Sequence, residues 1–206
     1  MEEVIDGVWD WTTFHEGIGV TVHSHHLALP GLLIDPRVPT DGTGWFARHC
    51  PPTRIALTNR HHLRHAAVFA ERFGCPILAH EAGLHDLPDH GITPFAFGDE
   101  LAPGVVAHEV GVLCPEETAI HMAPRDGRPG VLALADAVIR IECALTFVPD
   151  FLLGDEPEAI KQGIGQRLLG LCDTLDFDVL LLAHGAPKAE GGRAELRAFA
   201  ADAAQG

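Results

Sequence analysis

Three short stretches of the chain set metal-competent or anion-binding side chains beside runs of apolar residues. The first, Thr58-Asn59-Arg60-His61-His62-Leu63-Arg64-His65, packs three imidazoles and two guanidiniums into eight residues. The second is Asp136, which terminates the apolar run Val131-Leu132-Ala133-Leu134-Ala135, and the third is His184, which follows Leu180-Leu181-Leu182-Ala183. A titratable group at the end of a buried strand must be hydrogen-bonded, paired or metal-bound, because leaving it unsatisfied costs roughly several kcal/mol. Imidazole and carboxylate together suit zinc, iron or manganese. A guanidinium instead grips a carboxylate or phosphate bidentately.

The elements that must position these groups follow from periodicity. The front of the chain gives extended runs at Val8–Phe14, Gly19–Leu29, Gly31–Ile34 and, after the Pro/Gly-rich stretch Pro36–Pro52, Arg54–Leu57. From His62 the period changes: Leu63, Ala66, Ala67, Ala70 and Phe73 fall at helical spacing, and Gly74 with Pro76 ends the run. A strand at Pro76–His80, a short helical segment near Glu81–Leu87, and strands at Thr93–Phe97, Val105–Leu113, Thr118–Ala123 and Val131–Ile141 follow. Asp155-Glu156-Pro157-Glu158 has the form of a capping box opening a helix with Ile160, Ile164, Leu168 and Leu171 as its buried stripe. Val179–Ala183 is a continuously apolar strand, and Ala189–Ala204 a final helix. Two sheet-rich halves that each end in helices predict two sheets between helical layers, an α/β sandwich over residues 1–206 as one domain.

The order Leu32-Leu33-Ile34-Asp35-Pro36, the His-rich strand-to-helix turn, Ala135-Asp136, and Ala183-His184-Gly185-Ala186-Pro187 resembles the metallo-β-lactamase fold superfamily of metal-dependent hydrolases, over nearly the whole chain. The resemblance implies a four-layer αββα sandwich whose first motif reads T-H-x-H-x-D-H, followed by a further histidine, a bridging aspartate and a last histidine. It also implies hydrolysis by a water that one or two metal ions make acidic. Counted from Thr58, the motif's ligand positions fall on Asn59, His61, Leu63 and Arg64; counted one residue later, on Arg60, His62, Arg64 and His65. Leu113, in Val112-Leu113-Cys114-Pro115-Glu116-Glu117-Thr118, stands where the next imidazole would be, while Asp136 and His184 are retained. In the first register the resemblance puts His61 and Asp136 at the catalytic centre. One zinc, iron or manganese ion would be held by His61, Asp136 and His184, with Asn59, Arg60 and Arg64 facing substrate. The second possibility is a metal-free protein that holds a small anionic ligand or a protein partner in the same cleft through Arg60 or Arg64.

Composition limits the partners. Fourteen Lys and Arg against 29 Asp and Glu give a net charge of −15, which repels a nucleic-acid backbone. The 14 histidines would bring that charge to −1 if all were protonated, so solubility should vary between about pH 5 and 7. No segment approaches the roughly 18 apolar residues of a membrane span, and the acidic start MEEVIDGVWDW lacks the basic flank of a secretory signal. The five scattered cysteines form no C-x-x-C pair and fit a reducing cytoplasm, with Cys143 and Cys172 as small core residues. His23 and His25 share one face of a strand and His26 takes the other, a pattern expected of a solvated face. His80, His85 and His90 carry no ligand spacing. Low aromatic content and exposed β runs are compatible with a homodimer.

Overall fold

Strands that are apolar at every position, such as VLAL and VLLL, can be stable only where both faces are covered. The computed structural model describes residues 1–88 and 91–205, so His90 lies outside the described residues. A seven-stranded sheet takes β1 (Glu2–Ile5), β2 (Val8–His15), β3 (Val20–Leu27), β4 (Leu32–Ile34), β5 (Arg54–Ala56), β6 (Ile77–His80) and β7 (Ile92–Phe95) in chain order. The first four strands are antiparallel, and β4 to β7 run parallel. Helices α1 (Gly44–Arg48) and α2 (Ala66–Phe73) are crossovers of that parallel half, and Gly74 at φ 69° ends α2 in the left-handed conformation that glycine adopts without cost.

The second sheet is built from β8 (Glu100–Ala102), β9 (Val105–Glu109), β10 (Thr118–Met122), β11 (Val131–Leu134) and, beyond the small ribbon β12 (Ile139–Ile141) and β13 (Ala144–Thr146), β14 (Val179–Leu182). Its order is β14-β11-β10-β9-β8, with β11 and β14 parallel. Helices α3 (Pro157–Thr174) and α4 (Gly192–Gln205) cover its outer face.

Three apolar clusters account for the layers. Leu27, Ile34, Ala56, Ile120, Val131 and Leu181 meet between the two sheets. Phe46 and Phe69 pack with Leu33 and Ile55 under α1 and α2, and Leu132, Leu180, Ile164, Leu168 and Leu196 fill the space under α3 and α4. Each fully buried aliphatic side chain contributes about 1.5–3 kcal/mol. The result is the expected αββα sandwich.

Several local expectations are corrected. The run Val131–Ile141 is not one strand: Glu117 Oε1 accepts the backbone N–H groups of Asp136 (2.8 Å) and Ala137 (2.6 Å), turning the chain after Leu134. The stretch Val105–Leu113 leaves the sheet after Glu109, where Val110 and Gly111 turn to the Glu117 carbonyl. The last long helix but one starts at Pro157 after Glu156, with no side-chain cap, so the Asp155 box does not form. Strands β1 and β8 and helix α1, inside Pro36–Pro52, lie outside the elements read from periodicity. His23, His25 and His26 are buried, not solvated, because β3 lies between β2 and β4 with a layer on each face. Cys143 is exposed at the β12–β13 turn, whereas Cys172 is buried as expected.

Candidate metal centre and cleft

Parallel strands place all their carboxyl ends on one rim. The polar residues following β4, β5, β11 and β14 therefore come together: Asp35, Thr58 and Asn59, Asp136, and His184. Backbone bonds clasp the two sheets there, from Thr118 N to Thr58 O (2.8 Å) and from His23 N to Ala183 O (2.9 Å). His184 is held by its own carbonyl, which accepts from Arg140 N at 2.8 Å. The following Gly185, at φ 112°, lies so close to that strand that a Cβ would stand 2.4 Å from Arg140 O.

The next layer of contacts selects one histidine. Asn59 caps a 3-10 turn, Arg60–His62, by accepting from His61 N at 2.8 Å. Successive side chains in such a turn point about 120° apart, so His61 and His62 cannot serve one point. His62 turns inward: its Nδ1 donates to Asp35 Oδ2 at 2.8 Å and lies 3.0 Å from the Thr58 hydroxyl. Asp35 also accepts from Thr58 N (2.9 Å) and from the Thr58 hydroxyl. Burial opposes the charge on Asp35, but His62, Arg64 and the Thr58 bond outweigh it and hold its carboxyl below the usual range.

With Nδ1 engaged, His62 presents Nε2 to Asp136 Oδ1 at 3.4 Å, and His184 Nε2 approaches the same oxygen at 3.3 Å. Both contacts lie off hydrogen-bonding alignment, leaving Asp136 Oδ1 buried without a hydrogen-bond partner among the described residues. The other oxygen, Oδ2, accepts from Asn59 Nδ2 at 2.9 Å. His62, Asp136 and His184 are the one group of three whose ligand atoms all lie within 4.8 Å of one another among the described residues. An orphaned carboxylate oxygen between two imidazole nitrogens, with the opposite imidazole nitrogen already bonded to a carboxylate, fits a metal ion and its supporting shell.

Without a metal, the same groups stabilise one another's charges, and an ion would have to displace the second proton of His62 from Nε2. Burial disfavours the carboxylate of Asp136, yet the adjacent imidazoles of His62 and His184 hold it well below its ordinary value. Burial likewise works against a cationic His62, but Asp136 and Asp35 raise it to about 9. Glu117 is pushed up to about 8 by burial and by the neighbouring Asp136 charge.

The remaining sequence candidates separate. His61, expected among the ligands, is exposed and lines the cleft without joining the three; His62 takes that place for the steric reason given above. Asn59 is buried with its amide tied to His61 and Asp136. Arg60 turns away from the cleft: Nη1 donates to Glu116 at 2.5 Å, and Asp86 lies 2.7 Å from Nε as an ion pair off hydrogen-bonding alignment. Arg64 lines the cleft at φ 42°, its Nη1 donating to the carbonyls of His23 (2.6 Å) and Asp35 (2.9 Å). His65 Nδ1 accepts from Val38 N at 2.9 Å, outside the metal group. Asp35 and Glu117 carried no assigned role in the sequence, although Asp35 ends the apolar run Leu32–Ile34 as Asp136 ends its own.

Above the three ligands opens a cleft of about 490 Å³, walled by Ile18, Val20, Ile139, Val148, Phe151 and Leu152. A groove of about 510 Å³ over α3 is lined by Glu109 and Arg167, which pair with each other at 3.1 Å, and among the described residues it contains no metal-competent trio.

No family model matches the chain, and no curated protein does. Solved structures do. A metallo-β-lactamase from Erythrobacter litoralis, with β-mercaptoethanol in its active site, aligns over 98% of this chain and 95% of its own at 14% identity and a TM-score of 0.66. A metallo-β-lactamase family protein from Thermus thermophilus aligns over 98% and 80% at 16% identity, TM-score 0.65. A β-lactamase domain protein from Burkholderia ambifaria aligns over 98% and 74% at 21% identity, TM-score 0.64. At these identities the likeness establishes the fold.

Proposed function

We propose that this chain of metallo-β-lactamase fold is a hydrolase of a small-molecule substrate, working with one metal ion held by His62, Asp136 and His184. The observation that carries the reading is the convergence of those three ligand atoms within 4.8 Å, one of them a buried carboxylate oxygen lacking a hydrogen-bond partner. Three protein ligands with a further position open is the donor count of catalytic zinc sites, and the imidazole and carboxylate donors equally suit iron or manganese. The chemistry such an ion supplies is acidification of water and polarisation of the bond to be cleaved.

The chain's own residues prepare that chemistry. Asp35 and Thr58 fix the His62 ring with its proton on Nδ1, which leaves Nε2 as the ligand atom. Asn59 occupies Asp136 Oδ2 and so directs Oδ1 to the centre. Glu117 holds the Asp136–Ala137 backbone and fixes the depth of that carboxylate. Apolar side chains wall the cleft above that centre. A single ion is favoured over a pair because the described residues contain one trio of this kind, and the neighbouring positions hold Asn59, Leu63 and the cationic Arg64.

Elemental analysis of protein purified without a metal-affinity tag tests this reading. About one equivalent of zinc, iron or manganese is expected, falling below about a tenth in His184→Ala, since a three-ligand site reduced to two binds weakly. Less than a tenth of an equivalent in the unaltered protein, with no thermal shift on adding any of the three metals, overturns it.

A further inference from the structure

The cleft over the metal centre has two chemically distinct parts. Its mouth is apolar on opposite sides: Ile18 and Val20, 57% and 44% exposed, stand on the hairpin joining β2 to β3, and Phe151 and Leu152, 82% and 54% exposed, on the 3-10 turn Asp150–Leu152. Its polar lining consists of Arg64, the imidazoles of His15, His61, His62 and His184, and Asp136, the one acidic side chain among the lining residues. Apart from its imidazoles, that lining sets one guanidinium against one carboxylate in a chain whose net charge is −15. Only one arm of Arg64 is satisfied by the protein: Nη1 serves two carbonyls, while Nη2 is buried with no hydrogen-bond partner among the described residues. The nearby carboxylate of Asp35 is already committed to Thr58 and His62.

A buried guanidinium nitrogen without an acceptor is costly unless something else supplies one. One unfilled arm suits a singly charged anion, whereas a phosphate dianion calls for several donors. The mouth requires the rest of that molecule to be apolar, and a volume of about 490 Å³ is of the size that holds a small organic molecule. We propose that the cleft selects an apolar carboxylate: its body lies between the Ile18–Val20 hairpin and the Phe151–Leu152 turn, and its carboxylate faces Arg64. Arg64 is thereby a specificity residue, distinct from the metal ligands. The inference rests on the cleft being the substrate site of the proposed hydrolase and names the class of substrate.

The test uses the full chain stripped of metal by a chelator, so that its outcome does not depend on whether a metal is retained. Calorimetric titration at pH 8 compares 4-phenylbutyrate with its neutral isostere 4-phenylbutyramide. The acid is expected to bind about tenfold or more tightly than the amide, and its advantage to shrink as salt is raised. Arg64→Gln should remove most of that advantage while leaving the amide unchanged. Phe151→Ser, at a position too exposed to endanger folding, should weaken both probes several-fold. Equal binding of acid and amide, or no heat with the acid at millimolar concentration, overturns the proposal. An Arg64→Gln protein that unfolds like the parent and keeps the preference also overturns it. Should Arg64→Gln fail to fold, the acid-to-amide ratio and Phe151→Ser decide alone.

Discussion

Replacing Asp35 with Asn should uncouple the metal centre from its support while leaving every ligand in place. The carboxylate receives three donors: Thr58 N at 2.9 Å, the Thr58 hydroxyl, and His62 Nδ1 at 2.8 Å. An amide has one acceptor oxygen and one NH₂, so it cannot satisfy all three. With the NH₂ toward Thr58 N, two donors face each other in a buried site, at a cost of about 1–3 kcal/mol. With the NH₂ toward His62, the imidazole must accept at Nδ1 and carry its proton on Nε2, the atom required by the metal. Backbone strain adds little, because Asp35 sits at φ 48° and Asn tolerates that region. The expected result is a loss of about 1–3 kcal/mol in denaturant unfolding and a fall of about 10- to 100-fold in metal affinity, the range for removal of a ligand's orienting partner. Titration of metal-free protein with cobalt, followed by absorption, reads the affinity, and urea melts read the stability. An Asp35→Asn protein that binds cobalt within about twofold of the parent refutes the reasoning, since the clasp would then have no bearing on His62 Nε2.

Three further outcomes follow from the same contacts. Asp10 is buried, yet the hydrogen bond from His23 and the adjacent imidazole of His25 overcome that burial and lower it from 3.8 to about 2, so its contribution of about 2 kcal/mol is complete above pH 3.8 and lost as pH falls through 2. The stability gap between the parent and Asp10→Asn should lose roughly half its value between pH 7 and pH 3, and a gap constant over that range contradicts it. Glu117 has the opposite sign: raised from 4.5 to about 8 by burial and Asp136, it makes the metal-free protein less stable as pH rises between those values. Glu117→Gln keeps the acceptor for Asp136 and Ala137 and should therefore gain stability relative to the parent from pH 5 to pH 9, which melts in chelator will show or deny. Gly185→Ala, which forces a Cβ to 2.4 Å from Arg140 O at φ 112°, should cost about 2 kcal/mol or more and lower metal content with it; a thermal midpoint matching the parent's would contradict the close approach.

Much of the architecture was legible because burial on both faces leaves an unambiguous apolar run. Val131–Leu134 and Val179–Leu182 read as strands from composition alone, and Gly74 with Pro76 marks the end of α2. The breaks that were not legible depend on distant partners. The division of Val131–Ile141 is imposed by Glu117, 19 residues before Asp136. The burial of His23, His25 and His26 comes from the layers stacked on β3, and an alternating polar strand carries no mark of what will cover it.

The candidate site divides along the same line. By itself the sequence determined that Asp136 and His184 end buried strands and that an imidazole-rich turn follows another, because an ionisable group after an apolar run has few tolerable surroundings. Only the tertiary structure decided between His61 and His62. Adjacent residues in a 3-10 turn differ by about a third of a revolution, and the rotation that turns His62 inward is set by Asp35, 27 residues earlier in the chain. The separation of Arg60 from Arg64 was decided in the same way: Glu116 draws one out of the cleft and the carbonyls of His23 and Asp35 hold the other in it, contacts that exist only once β3, β4 and the loop before β10 have packed together.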